Sequence, residues 1–209
     1  LLDLNFAPLS NSYIKTPYPN NFYEKYHPLI VYYCDNCWFV QSNTVNSPEE
    51  IFNDEYAYLS STSKTFINHC KIYTDKIINK LKLKSNKSLV MEIASNDGYL
   101  LNFFNKKNIT NIGIEPTKST AEIARKKGIK TINKFYNLSL SKTINKKYGK
   151  VDLIIANNVY AHVPNIIDFT KSIKNNLKKN GVVTIEFPHF LNLLKYNLFD
   201  TIYHEHFSY

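Results

Sequence analysis

The chain has 209 residues, of which 44% are hydrophobic and 21% charged, and a formal net charge of +9. A chain of that size and composition builds a full core, which excludes a disordered polymer, and no run reaches the roughly 18 consecutive apolar residues of a membrane helix. Its lysines are spread over amphipathic faces among asparagines and isoleucines, so solvated faces and a general attraction for anionic small molecules account for the charge, and nucleic acid is not an expected partner. With no charged-then-apolar leader, the expectation is a cytoplasmic monomer that makes no use of a membrane.

Residues 1–46 are rich in Pro, Asn and Tyr and predict short strands and loops. Within them Leu29 to Tyr33 runs into Cys34-Asp35-Asn36-Cys37 and out through Trp38 to Val40. Two thiolates on one tight turn are half of a tetrahedral zinc site, so Cys34 and Cys37 are candidate ligands. A dithiol redox pair is the alternative, but no thioredoxin-like βαβ context surrounds it. Cys70 falls on a helical pattern and reads as a core thiol.

Residues 47–84 predict a helical linker. Ser47-Pro48-Glu49-Glu50 has the form of a capping box. The hydroxyl-rich loop with Tyr56 and Tyr58 is either a solvated helix cap or a lip facing a substrate. Phe66, Cys70, Tyr73, Ile77 and Leu81 then recur at spacings of three and four, one stripe of a long helix.

From Ser88 the alternation is regular: strands at 88–93, 111–115, 129–133, 151–157 and 182–187, with helices at 98–106, 118–127, near 138–147 and at 165–179. Gly128 closes the second helix, and Asn180-Gly181 turns the chain into the last strand. That order predicts an α/β fold, a Rossmann-like core at 85–187 with a parallel sheet covered on both faces, preceded by a small zinc-knuckle segment. The first strand ends in Glu92-Ile93-Ala94-Ser95-Asn96-Asp97-Gly98, an acid followed by a small-residue turn that lets a ligand approach the backbone. Glu115-Pro116 ends the second strand, about 20 residues on, where an acid accepts hydrogen bonds from ribose hydroxyls. Asn157, Asn158 and His162 follow the fourth strand on the same functional edge, and His162 reads equally well as a packing histidine.

Residues 188–209 form a segment dense in Tyr203, His204, Glu205, His206 and Tyr209. It offers an imidazole titrating near neutrality, a carboxylate to orient it and a phenol to donate to an oxyanion; a metal site or a solvated surface are the other readings. In an extended segment Tyr203 would share a face with Glu205, and His204 with His206, whereas a helical turn would change both pairings.

The acid-to-glycine spacing matches the acidic-x-Gly-x-Gly-x-Gly loop of Rossmann-like S-adenosylmethionine (SAM) methyltransferases, with Ala94 and Asn96 at two glycine positions. Together with Ala7-Pro8-Leu9-Ser10-Asn11-Ser12-Tyr13, Cys34-x-x-Cys37, Gly113-Ile114-Glu115-Pro116, Ala156 to Pro164, Ile185 to His189 and Tyr203 to Tyr209, the chain resembles the SAM-dependent sugar C-methyltransferases of nucleotide-deoxysugar biosynthesis. The resemblance implies SAM at Glu92, Ala94, Ser95, Asn96, Gly98, Glu115, Pro116, Asn157, Asn158 and His162, structural zinc at Cys34 and Cys37, and methylation at C-3 of a nucleotide-linked 4-ketosugar. It further implies His206 as general base, Tyr203 and Glu205 beside it, and Tyr56 or Tyr58 facing the sugar. An O-methyltransferase, or a zinc-knuckle interaction module without activity, are the competing functions. The family has a second cysteine pair and a C-terminal domain, so further segments are expected beyond Leu1 and Tyr209.

Overall fold

Strand β1 (Leu2–Ala7) alternates apolar and polar side chains, and in the computed structural model, which describes residues 1–14, 23–43, 46–52 and 58–209, it pairs antiparallel with β2 (His27–Tyr33). A bulge between Asp3 and Phe6 contains Asn5 at φ +62°. After the cysteine turn, β3 (Val40–Ser42) returns along β2 with Val31 opposite Ser42. Helix α1 (Pro48–Ile51) has the expected capping box, with Ser47 and Glu50 each holding the other's backbone N–H. Tyr56 lies outside the described residues.

Contacts divide the chain into two units: residues 1–57, 158–164 and 186–209 form one, and 58–157 with 165–185 form the other. The 188–209 segment therefore joins the N-terminal strands, and the long helix expected as a linker belongs to the second unit.

In that second unit α2 (Lys64–Leu81) starts at Ser63, whose Oγ accepts the Phe66 N–H. Its predicted stripe packs on one core, with Cys70 and Ile77 buried and Phe66, Tyr73 and Leu81 against them. Strands β4 (Leu89–Ile93), β5 (Thr110–Ile114), β6 (Thr131–Ile132), β7 (Val151–Asn157) and β8 (Leu177–Glu186) form a sheet in the order β6-β5-β4-β7-β8. Parallel pairing joins β4 to β5 and β7, and β5 to β6. The apolar runs of the central strands are buried throughout, as a sheet covered on both faces requires. Chain order reverses between β4 and β7, so the crevice for a ligand lies beyond the carboxyl end of β4.

Helices α3 (Leu101–Asn105), α4 (Lys118–Lys126), α5 (Leu138–Tyr148) and α6 (Ile166–Asn176) complete this unit. After α4, Gly128 at φ +79° is the expected C-terminal glycine: its N–H reaches the Arg125 carbonyl and the Ile129 N–H reaches that of Ala124. Three expectations are corrected. Helix α3 begins at Leu101 rather than Gly98, because φ +76° at Gly98 is incompatible with a helix. Strand β6 keeps two residues, since Asn133 turns away to cap the carbonyls of Glu115 and Pro116. Helix α6 stops at Asn176, not near residue 179. The Asn176 amide is buried and held by Ser141, Asn145 and Tyr136, Leu177 is already extended, and Lys178 pairs with Asp152 of β7 at 2.7 Å. Asn180-Gly181 thus lies within β8 instead of forming a turn.

The chain returns to the first unit for the last time at Glu186, and α7 (Phe190–Lys195) follows. Leu193 and Ile202 bury against Leu29 and Val31, and the last residues pair with β3: Phe207 accepts the Ser42 N–H, and Tyr209 donates to Val40. Among the described residues no helix is long and apolar enough to cross a membrane.

Candidate functional site

The loop after β4 carries three left-handed residues at alternate positions, Ala94 at φ +57°, Asn96 at +46° and Gly98 at +76°. A backbone that needs φ > 0 at every second residue is why glycine is the usual occupant of all three. Asn tolerates the conformation, while Ala94 adopts it under strain. A Cβ on Gly98 would stand 2.8 Å from Ile129 Cγ1, and a Cβ on Gly113 of β5 would stand 2.9 Å from Ser95 Cβ. Gly98→Ala is therefore expected to cost about 2–3 kcal/mol, from left-handed strain plus overpacking against a buried Ile, measured as a lower urea midpoint at unchanged slope.

Glu115 closes this loop. Its Oε2 accepts the Asn96 N–H at 2.9 Å and its Oε1 accepts the Thr117 N–H at 2.8 Å, with the Thr117 and Thr120 hydroxyls also beside it. Burial raises its pKa against those same hydrogen bonds. Glu92 is 1% exposed, and burial, with the charges of Glu115 and Asp97, drives its pKa far up against a hydrogen bond with the Tyr99 hydroxyl. Ser95 Oγ and Asp97 Oδ1 are buried without partners, while Asp97 Oδ2 pairs with Lys127 at 2.7 Å. Unused donors and acceptors around a loop whose backbone is bare of side chains fit a ligand rich in amine and hydroxyl groups, as SAM is. Pro116 and Asn157 lie at the ends of β5 and β7, partly buried. Tyr58 is exposed, and its carbonyl accepts from Asn96 Nδ2 at 3.2 Å.

The other expected residues gather in the first unit. Asn158, at φ +49°, donates from backbone and side chain to Glu186. His162, expected with the cofactor residues, lies in the first unit with its ring tilted against that of His206, centroids 4.6 Å apart, and its Nδ1 2.9 Å from the Glu205 carbonyl. His206 is 4% exposed, with Tyr203 at 4.2 Å on one side and Tyr209 edge-on at 5.6 Å. The His206 N–H reaches the Tyr203 carbonyl, so residues 203–206 form a turn. The extended pairing of faces is thereby overturned: His204 departs to the Pro28 carbonyl and the ring of His27.

The Thr201 carbonyl lies 3.1 Å from His206 Nδ1. A carbonyl only accepts, so Nδ1 carries the hydrogen and Nε2 keeps its lone pair. Burial and the neighbouring His162 lower the His206 pKa to about 3, and burial lowers that of His162 to about 4. Both rings are neutral at physiological pH. Glu205 does not orient His206 as the sequence suggested. Its Oε1 accepts from Ser10 Oγ at 2.9 Å and Asn11 Nδ2 at 2.7 Å, and burial raises its pKa against those two bonds. Sequence reasoning quoted Ser10 and Asn11 without a role and missed Thr201. Partners almost 200 residues apart, and a backbone carbonyl, leave no local signal.

At the cysteine turn, the backbone N–H groups of Asn36 and Cys37 lower the Cys34 pKa, which favours a thiolate. Cys37 is exposed beside it, and among the described residues no third metal-ligating side chain joins the pair. The donor set fits half of a zinc site.

A family model described as "Methyltransferase domain" matches residues 69–209, and one described as "Putative zinc binding domain" matches residues 1–52. The C-methyltransferase NovU of Streptomyces niveus is 31% identical over 186 residues, which cover 89% of this chain and 44% of that protein. The chain thus spans less than half the length of this curated relative. Among solved structures, the plantazolicin methyltransferase BpumL, in complex with a pentazolic desmethylPZN analog and SAH, superposes with a TM-score of 0.52 at 14% identity, over 69% of this chain and 55% of its own. An S-adenosylmethionine-dependent methyltransferase from Clostridium acetobutylicum gives a TM-score of 0.51 at 15% identity, over 62% and 54%. At such identities these two likenesses speak for the fold alone.

Proposed function

Since the chain belongs to the methyltransferase-domain family, we propose that it carries the cofactor-binding and proton-accepting parts of a SAM-dependent C-methyltransferase acting on C-3 of a nucleotide-linked 4-ketosugar. The observation that carries the C-methylation reading is the tautomer of His206: a buried, neutral imidazole with Nδ1 committed to Thr201 and Nε2 free to take a proton. A carbon beside a ketone becomes nucleophilic only when its C–H proton is removed, and a neutral imidazole at hydrogen-bonding distance does this while a donor stabilises the enolate oxygen. Tyr203, its ring tilted against that of the base at 4.2 Å, is the candidate donor, and Tyr56 or Tyr58 is the candidate to face the sugar. SAM, when bound, supplies the electrophilic methyl.

In this reading the second unit holds the cofactor. Glu115 takes the ribose hydroxyls, the loop Ala94, Ser95, Asn96, Gly98 lets the cofactor reach the backbone, and Glu92, Pro116 and Asn157 complete the surroundings. Cys34 and Cys37 contribute half of a structural zinc site. Similarity to a C-methyltransferase at 31% identity supports carbon over oxygen as the acceptor. The test of the cofactor half is calorimetry with S-adenosylhomocysteine (SAH): Glu115→Ala is expected to weaken binding by about 1.5–3 kcal/mol, the scale of hydrogen bonds lost to a charged group. Wild-type affinity in that variant, with near-UV dichroism unchanged, would count decisively against the assignment.

A further inference from the structure

The side chain of Asn96 does something no glycine at that position could do. Its Oδ1 accepts the Ser60 N–H at 3.0 Å and its Nδ2 donates to the Tyr58 carbonyl at 3.2 Å. One carboxamide thus pairs with the donor and acceptor of a short backbone segment as a peptide group in a neighbouring strand would. Meanwhile the Asn96 N–H holds Glu115 Oε2 at 2.9 Å. Asn96 is 8% exposed and Ser60 7%, so the bond to Ser60 is shielded from water and its loss leaves polar groups unpaired, while the bond to Tyr58 is part-buried. The three hydrogen bonds converge on one residue in a left-handed conformation, which asparagine tolerates better than other residues with long enough side chains.

From this geometry we infer that Asn96 is a positioning residue, a clamp that sets Tyr58 and Ser60 on the cofactor loop. The loop and the Tyr58 segment then order together. A ligand that orders the loop through Glu115 also fixes the backbone of Tyr58, and a sugar facing Tyr58 meets an arranged side chain only when the loop is arranged. The inference rests on the proposed function for the identity of the two ligands, but the clamp is a property of the fold alone.

Asn96→Gly keeps the left-handed conformation and the N–H to Glu115 while removing both clamp bonds. Hydrogen exchange at the Ser60 amide, followed in wild type and variant, is expected to accelerate about 10-fold or more, because local opening no longer breaks the bond to Oδ1. Exchange at Ile112 and Ile154, in the buried sheet, should stay at the wild-type rate. With SAH the wild type should gain protection at Ser60 and the variant should not. In Asn96→Gly, kcat/KM for the ketosugar should fall about 10- to 100-fold through misplacement of the Tyr58 segment. Asn96→Asp retains the acceptor for Ser60 and should recover the Ser60 protection but not the bond to the Tyr58 carbonyl. Unchanged Ser60 exchange in Asn96→Gly overturns the clamp whatever the protein catalyses. Faster Ser60 exchange in a protein whose wild type binds no SAH leaves the clamp standing and removes the proposed function instead.

Discussion

His206→Ala is expected to lower methyl transfer to a 4-ketosugar nucleotide by about two to four orders of magnitude, the usual worth of a general base, with SAH affinity almost untouched. Two observations define the expectation. The proposed base atom is Nε2, because Nδ1 is committed to the Thr201 carbonyl, and burial with the neighbouring His162 keeps the ring neutral in the fold. Truncation also opens a cavity among Tyr203, His162 and Tyr209, so His206→Gln is the companion variant: its amide can still donate to Thr201 but accepts no proton. Both variants should abolish solvent deuterium exchange at C-3, a proton-transfer step seen apart from methyl transfer. The rival, His204, is 1% exposed, with Nε2 against the Pro28 carbonyl and Nδ1 buried without a partner. Its replacement should act on stability and leave exchange at C-3 intact. Wild-type exchange in both His206 variants together with its loss in His204→Ala would reassign the base. An acceptor oxygen rather than carbon would show as methyl transfer with no exchange at C-3 in the wild type.

Periodicity made the second unit legible. The stripe from Phe66 to Leu81, the five apolar strands and the glycine after α4 each follow from local rules, and their order leaves few sheet topologies. The loop was half legible. Gly98 announces a positive φ, but Ala94 and Asn96 hide theirs, and only the spacing to Glu92 suggests that they sit where glycines would. The end of α6 was not legible, because Asn176 stops the helix through a buried network with Ser141, Asn145 and Tyr136, groups far away in sequence. The histidine cluster was legible as chemistry and not as geometry. Whether residues 203–206 extend or turn is decided by bonds to Ala161, Ser42 and Thr201, and the carboxylate that looked like a partner for the imidazole is taken by Ser10 and Asn11.

Acid should weaken the fold through the same histidines that the proposed chemistry needs neutral. The folded pKa values of about 4 for His162 and about 3 for His206 lie below the ordinary value of 6.5, so between 6.5 and those values the unfolded chain binds protons that the fold refuses. Their contribution to stability is complete above pH 6.5 and is lost as pH falls, each ring steepening the loss by up to about 1.4 kcal/mol per pH unit. Glu92, Glu115 and Glu205 act in the opposite sense, since their raised pKa values favour the fold when protonated and that help fades as pH rises above 4.5. Subtraction separates the two. Urea unfolding of wild type and His206→Gln between pH 7.5 and 4.5 should show the wild type losing stability more steeply below pH 6.5, the carboxyl contribution being common to both. A constant difference across that range would mean that the ring charges freely in the fold, and a base so easily protonated would not be the one described. A base with a pKa near 3 takes a carbon-bound proton only if the imidazolium finds a counter-charge, and the Glu205 carboxylate is occupied with Ser10 and Asn11. In the proposed reaction the enolate formed in the same step supplies that charge. On that proposal the imidazole becomes a competent base only with the ketosugar in place, and kcat/KM should show no acid limb from its titration until the fold itself begins to fail.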